Sequence, residues 1–371
     1  MCTLSQHWAC FQQTLFQLPE EVFPAGITPR HQQFMWLLDW IPIHRLVAGP
    51  SSCGPGRPPH DRRLLLRALL AKALFECPTT EALQERLVVD RTLRRLCGWE
   101  SRKDVPSSST FSRAFAVFAA EGQLEQLHAA LVRDQVASDV VWHVSRDSTA
   151  IPARERAPKP PDGSPPTGPR RRGRPQKGTT SSPAPPTRLQ RQFATPNTPR
   201  ETDALLAELP KACDVGCKLN SQGERARWRG YKFHVDLGDD GIPLFCLTTS
   251  ASMHDSQAAI PMSRRTAERV TSWYDLMDAA YTTKEIRANS IALGHVPIIP
   301  GNPRHRDYAP FEPDRARRFT HRGVVERFNS LLKDQFGGRT LRVRGAAKVH
   351  AHLMCGVLVI FAAVLQGWAT A

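Results

Sequence analysis

Apolar residues recur at helical spacing between residues 61 and 135. The run RRLLLRALLAKALF follows Asp61, which can cap it, and PTTEALQERLVV follows with Thr79 or Thr80 at its start. DRTLRRLCGW then ends on Gly98, a helix-stopping residue. After VPSSS, Phe111, Phe115 and Phe118 mark a further helix, with Gly122 beyond it. The pattern predicts a small all-α domain over 61–135. Residues 1–60 read as an N-terminal arm, in which an apolar cluster from Phe34 to Ile43 precedes the loop GPSSCGPGRPP.

From about residue 140 the period changes. VVWHVSRDSTAI is β-rich, with its strand expected to end near Asp147 in a Thr/Ala turn. In YKFHVDL, Tyr, Phe, Val and Leu alternate with Lys, His and Asp, and Asp240-Gly241 offers a hairpin turn into IPLFCLTT. A helix from Ser256 to Arg269, the strands SWYDLMD and VPIIPGN, and a long helix from about Thr320 complete the series. A hairpin followed by alternating strands and helices indicates an α/β domain with a mixed sheet over 140–371. Residues 157–200 interrupt it. Twelve of these 44 residues are proline, nine are basic against one acidic, and only Leu189 and Phe193 are large and apolar. Such a stretch predicts a disordered insertion.

Composition narrows the function. The 371 residues carry 50 Lys and Arg against 35 Asp and Glu, a formal charge of +15, which favours an anionic partner. Hydrophobic residues make up 41%, so the chain can build a core. Nine scattered cysteines in a long chain argue for free thiols in a reducing compartment. The N-terminal residues lack the basic and apolar regions of a signal peptide. The apolar stretch Leu353–Leu365 is shorter than the ~20 residues of a spanning helix and reads as a core helix, so no membrane is expected.

Three carboxylates stand out. Asp147 and Asp278 are placed at strand ends, where α/β sheets build their sites. Glu326 falls on the helix HRGVVERFNSLLKDQF. At about 100° per residue, Arg322, Glu326 and Lys333 fall within an arc of roughly 40°, opposite an apolar stripe of Val324, Val325, Phe328, Leu331 and Leu332. Carboxylate oxygens suit hard ions such as Mg²⁺, and paired ions suit in-line displacement at a phosphodiester. Arg and Lys beside them suit phosphate, one as a fork and the other as a point charge. Taken singly, each acid reads equally as a turn residue, a helix cap or a surface pair; their joint occurrence points to chemistry.

In this combination the sequence resembles the DDE transposases of bacterial insertion sequences. Arg322, Glu326 and Lys333 match the family signature Tyr-x2-Arg-x3-Glu-x6-Lys, with Phe319 at the tyrosine position. Asp147 sits in an Asp-x-Thr context, and Asp278-Ala279-Ala280-Tyr281 stands where the family has Asp-x-Gly-Tyr. RGYKFHV and SMHDSQAA resemble the family's middle strands and the turn after them. GRPPHDRRLLLRALL and VPSSSTFSRAF resemble the N-terminal domain of many such enzymes. The resemblance implies an RNase H-like catalytic domain over 140–371. Asp147, Asp278 and Glu326 would hold two Mg²⁺ ions, with Mn²⁺ able to substitute. Arg322, Lys333 and Phe319 would contact DNA. The N-terminal helices, with Arg91, Arg94 and Arg95, would read terminal inverted repeats. It further implies double-stranded end and target DNA as partners, a homodimer on that DNA, and a prokaryotic cytoplasmic, nucleoid-associated setting. A nuclease that never joins strands, or an inactive DNA-binding descendant, fits the same residues.

Weaker signals have simpler readings. RRRGRPQK, Arg170 to Lys177, resembles a minor-groove arm but reads equally as a basic linker. His254-Asp255 could sit at the rim near the metals, but the simpler expectation is that Asp255 caps the helix starting at Ser256, with His254 a loop residue. Cys213 and Cys217 lack a matching second pair for zinc. His350 and His352 do not share a helix face.

Overall fold

The computed structural model of the protein describes residues 26–49, 59–156, 185–219, 224–301 and 310–368. Helical structure begins earlier than the pattern predicts. Helix α1 (Pro29–Trp40) opens on Thr28, whose hydroxyl accepts from the His31 amide, with Pro29 in the first turn; α2 (Ile43–Leu46) follows. Phe34 and Leu37 of α1 are fully buried with the later helices, so the later part of the expected arm belongs to the folded body. Next come α3 (Arg62–Leu74), capped by Asp61, and α4 (Thr80–Val89), capped by Thr79. Helix α5 (Arg91–Cys97) ends on Gly98 at φ 104°, and α6 (Ser108–Ala120) and α7 (Gln123–Gln135) close the series.

The α/β part starts with β1 (Val140–Pro152), a longer strand than predicted. Helices α8 (Arg188–Ala194) and α9 (Pro199–Ala207) precede β2 (Asp214–Leu219), β3 (Arg225–Leu237) and β4 (Pro243–Ser250). Then follow α10 (Ser256–Ala267), β5 (Thr271–Leu276), α11 (Lys284–Ala292), β6 (Val296–Ile298), α12 (Pro313–Thr320), α13 (Gly323–Asp334) and α14 (Ala346–Leu365). The end of the expected insertion is therefore folded: Thr187 and Gln190 form a capping box, Leu189 packs on the cluster around Ile260, and buried Gln192 donates to the Gln257 carbonyl. Residues 157–184, including Arg170 to Lys177, lie outside the described residues.

The six strands among the described residues share one sheet. β1 is central, antiparallel to β3 and parallel to β5, and β5 is parallel to β6. β3 pairs with β2 through its first half and β4 through its second. Three antiparallel strands continued by two parallel ones give the RNase H-like arrangement. At Gly230, where β3 changes partners, an added Cβ would meet the Ile151 carbonyl oxygen at 2.1 Å, so the close approach of β1 requires glycine.

One core joins the helical region to the sheet. α14 carries Leu353, Val357, Leu358 and Phe361, all fully buried, and packs on α1, α3, α6, α7, α13 and β4. It is long and apolar enough to cross a membrane, yet most of it is buried inside the protein, as expected of a core helix. The other sheet face is covered by α8 to α11, with Phe245, Leu247 and Met262 in one cluster and Ile260, Met277 and Tyr281 in another.

Candidate active site

Asp147 does not end its strand; it lies within β1, opposite Val235 of β3. What ends there is the neighbour. The parallel pairing of β1 with β5 stops at Ser145 and Leu276. Asp147 and Asp278 each stand two residues further on, and side chains two apart on a strand share a face. The two carboxylates therefore emerge side by side where the sheet opens. Asp278 leaves β5 as the first residue of a tight turn, its carboxylate accepting from the Ala280 amide at 2.9 Å. Among the described residues the one non-glycine with positive φ is Glu76, so alanine at 280 meets no backbone penalty.

The helix expected from about Thr320 is α13, which starts at Gly323; a separate helix, α12, ends at Thr320, and Arg322 sits at the junction between the two. Its guanidinium turns to the sheet: Nη2 lies 3.2 Å from Asp147 Oδ1 and 4.0 Å from Asp278 Oδ2. It thus pairs with the aspartates rather than lining up with Glu326 as the angular argument predicts. Burial pushes the Asp147 carboxyl up; the Asp278 charge adds to this and Arg322 opposes it. Glu326, one turn on, is exposed. Among the described residues the ligand atoms of Asp147, Asp278 and Glu326 do not all lie within 4.8 Å of one another.

Lys333 is half-buried at the end of α13 and close enough to Asp147 to feel its charge. Burial pulls its ammonium down, and Arg339 and Lys218 add to the effect. Phe319 packs against Phe311, ring centres 5.3 Å apart. The three arginines of α5 differ. Arg91 is exposed and Arg95 pairs with Glu100, whereas Arg94 is buried, its Nη1 donating to the Leu87 and Val88 carbonyls at 3.0 and 2.9 Å. Arg94 ties off the end of α4, and its burial keeps the guanidinium from reaching DNA.

Other groups complete the site, and of these only His254 and Asp255 stand out in the sequence. Lys218 on β2 brings a second lysine towards Asp147. Asp255 makes no cap hydrogen bond to α10; it accepts from Lys232 at 2.8 Å and from Ser148, while His254 Nδ1 accepts from the Ser256 amide. Burial alone would raise the Asp255 carboxyl, but His234 and Lys232 together hold it below its ordinary value. Tyr281 is buried among Asp255, Asp147 and Asp278, and its hydroxyl has no partner among the described residues. Burial and these three charges push it well up. Alternation in YKFHV and the Ser after Asp147 were the available hints.

A further group lies along the same face of β1. The rings of His143 and His321 stack 4.4 Å apart, and His143 Nδ1 and Asp239 Oδ1 are 2.5 Å apart. These three residues could hold a metal ion. His321 and Arg322 are adjacent, so the α12–α13 junction rests on His143 through one residue and on Asp147 through the next.

The donor set at the aspartates is all carboxylate oxygen, which fits Mg²⁺ or Mn²⁺ better than softer metals. Its two acids already draw one cation, Arg322, between them. The residues present fit a divalent ion there.

Comparison with known families agrees with this geometry. A family described as a transposase domain (DUF772) matches residues 28–116, and one described as a transposase DDE domain matches residues 202–362. No curated protein matches the chain. The first match begins at α1, where the helical core begins. The second spans most of the sheet and runs to α14, taking in Asp278, Arg322, Glu326 and Lys333.

Proposed function

This chain belongs to the DDE transposases, and from that premise we propose that it cuts DNA at the ends of an insertion sequence and joins the freed ends to a target. The observation that carries the reading is the in-register pair Asp147 and Asp278 with Arg322 between them. Asp147, Asp278 and Glu326 would hold two Mg²⁺ ions, with Mn²⁺ able to substitute. When bound, such ions activate the attacking oxygen and stabilise the leaving oxygen of an in-line displacement. Water attacks first and releases a 3′-hydroxyl; that hydroxyl then attacks a target phosphodiester and expels a strand end.

The protein's own groups position the DNA. Arg322 exchanges the aspartates for a phosphate, its planar fork suiting two oxygens. Lys333 and Lys218 add point charges beside Asp147, and Phe319 offers an aromatic edge. The helical region supplies recognition of terminal inverted repeats, with Arg91 and Arg95 as contacts, and the enzyme works as a homodimer on paired ends at the prokaryotic nucleoid. Incubating purified protein with its flanking DNA ends and Mg²⁺, then mapping cut and joined products, tests this. Cut ends without joined products would leave a nuclease, and no metal-dependent cutting would leave a DNA-binding protein.

A further inference from the structure

A cavity of about 390 Å³ lies at the seam between the helical region and α13. Lys72, in the last turn of α3, lines it from one side. Lys333 and Arg342 line it from the other. Among the described residues the side chains of these three make no hydrogen bond and no ion pair. The acids on the wall are already engaged: Glu76 with Arg30 at 2.8 Å, and Asp334 with Arg339. Burial depresses the Lys72 ammonium below its ordinary value, and Arg342 adds to this while the thiols of Cys355 and Cys77 oppose it. Cations gathered without counter-ions in a partly dry cleft are costly, and an anion would relieve that cost.

We propose that this cavity is a phosphate site that grips the backbone of the DNA strand running to the catalytic face, so that one phosphate ties the N-terminal helices to the helix carrying Glu326. The inference rests on the transposase reading. Two lysines provide point charges and an arginine a planar fork, the set that suits phosphate oxygens. The space accepts a phosphodiester with its attached sugar, for which Leu69 and Phe115 give an apolar wall. Lys333 lines the cavity and lies on the helix that carries Glu326, so a strand held here continues along α13 towards the catalytic face. Free orthophosphate has the same chemistry, and the test separates the two.

Duplex binding by the full chain is measured by fluorescence anisotropy across a salt series, for wild type, Lys72→Met and Arg342→Gln. Each variant should bind about tenfold more weakly near 0.1 M salt, with the slope of log K against log salt reduced by about 0.9. Arg342 is exposed, so its variant keeps the test open if Lys72→Met fails to fold. Wild-type affinity and slope in the folded variants would overturn the proposal. A melting temperature raised by orthophosphate in wild type but not in Lys72→Met, with the DNA slope unchanged, would also overturn it in favour of free phosphate. Absence of DNA binding by the wild type would instead overturn the transposase reading.

Discussion

Arg322 Nη2 lies 3.2 Å from Asp147 Oδ1, joining a helix junction to the middle of the central strand. The guanidinium Nε is buried and has no hydrogen-bond partner among the described residues. Arg322 therefore stands in for the positive charge that two adjacent carboxylates require, and it does so with part of its donor set unused.

A cation in that place competes with a metal ion. Arg322→Ala should bind Mn²⁺ more tightly than wild type in the absence of DNA, read by electron paramagnetic resonance. A charge-assisted contact of about 1.5–3 kcal/mol corresponds to roughly tenfold or more in affinity. Unchanged Mn²⁺ affinity would show that Arg322 does not occupy the metal's place.

The helical arginines should separate by role. Arg94→Ala leaves the Leu87 and Val88 carbonyls without their donor and should cost about 1–3 kcal/mol of stability. Arg91→Ala, at an exposed position, should leave stability unchanged and weaken binding to terminal-repeat DNA. Urea midpoints and gel retardation read the two effects, and an Arg94→Ala protein as stable as wild type would refute the structural role.

Packing behind α13 should reach the chemistry. A Cβ on Gly356 would lie 2.9 Å from both Leu332 Cδ1 and Phe336 Cβ. Gly356→Ala should therefore cost about 1–3 kcal/mol and shift the helix bearing Glu326 and Lys333. Slower single-turnover cleavage by a folded Gly356→Ala protein is the expected result; a wild-type rate and melting point would show that the contact relaxes freely.

Acid should destabilise the fold before carboxylates titrate. Burial pushes His128 down to about 3 and His234 down to about 4, so both stay neutral when folded. An unfolded histidine protonates near pH 6.5. Stability from these groups is thus fully present above about pH 6.5 and is lost as pH falls towards the folded values, at about 1.4 kcal/mol per pH unit for each group. Urea midpoints at pH 7.5 and 5 check this, and equal values would contradict it.

Local features were legible in the sequence because their causes are local. Asp61, Thr79 and Gly98 begin or end helices through bonds to residues a few positions away. Thr28-Pro29 carries the same kind of signal and marks α1, although the loop after it suggested an arm. The candidate site was legible only in part. Its acids could be named, but their adjacency depends on the parallel register of β1 and β5, which joins residues far apart in the chain. The later helix start has one hint, Gly323, and it leaves Arg322 before the helix, turned to the sheet instead of along a helix face. Burial of Arg94 and the seam around Lys72 arise from tertiary packing, which helical periodicity does not encode.

Whether the three acids form one metal site is read from single-turnover cleavage of end DNA with saturating Mg²⁺, compared among wild type, Asp147→Asn, Asp278→Asn and Glu326→Gln. Each substitution removes a charge and keeps the shape, so cleavage should collapse while DNA binding persists. Full cleavage by the Asp278→Asn protein would show that these acids do not hold the metal.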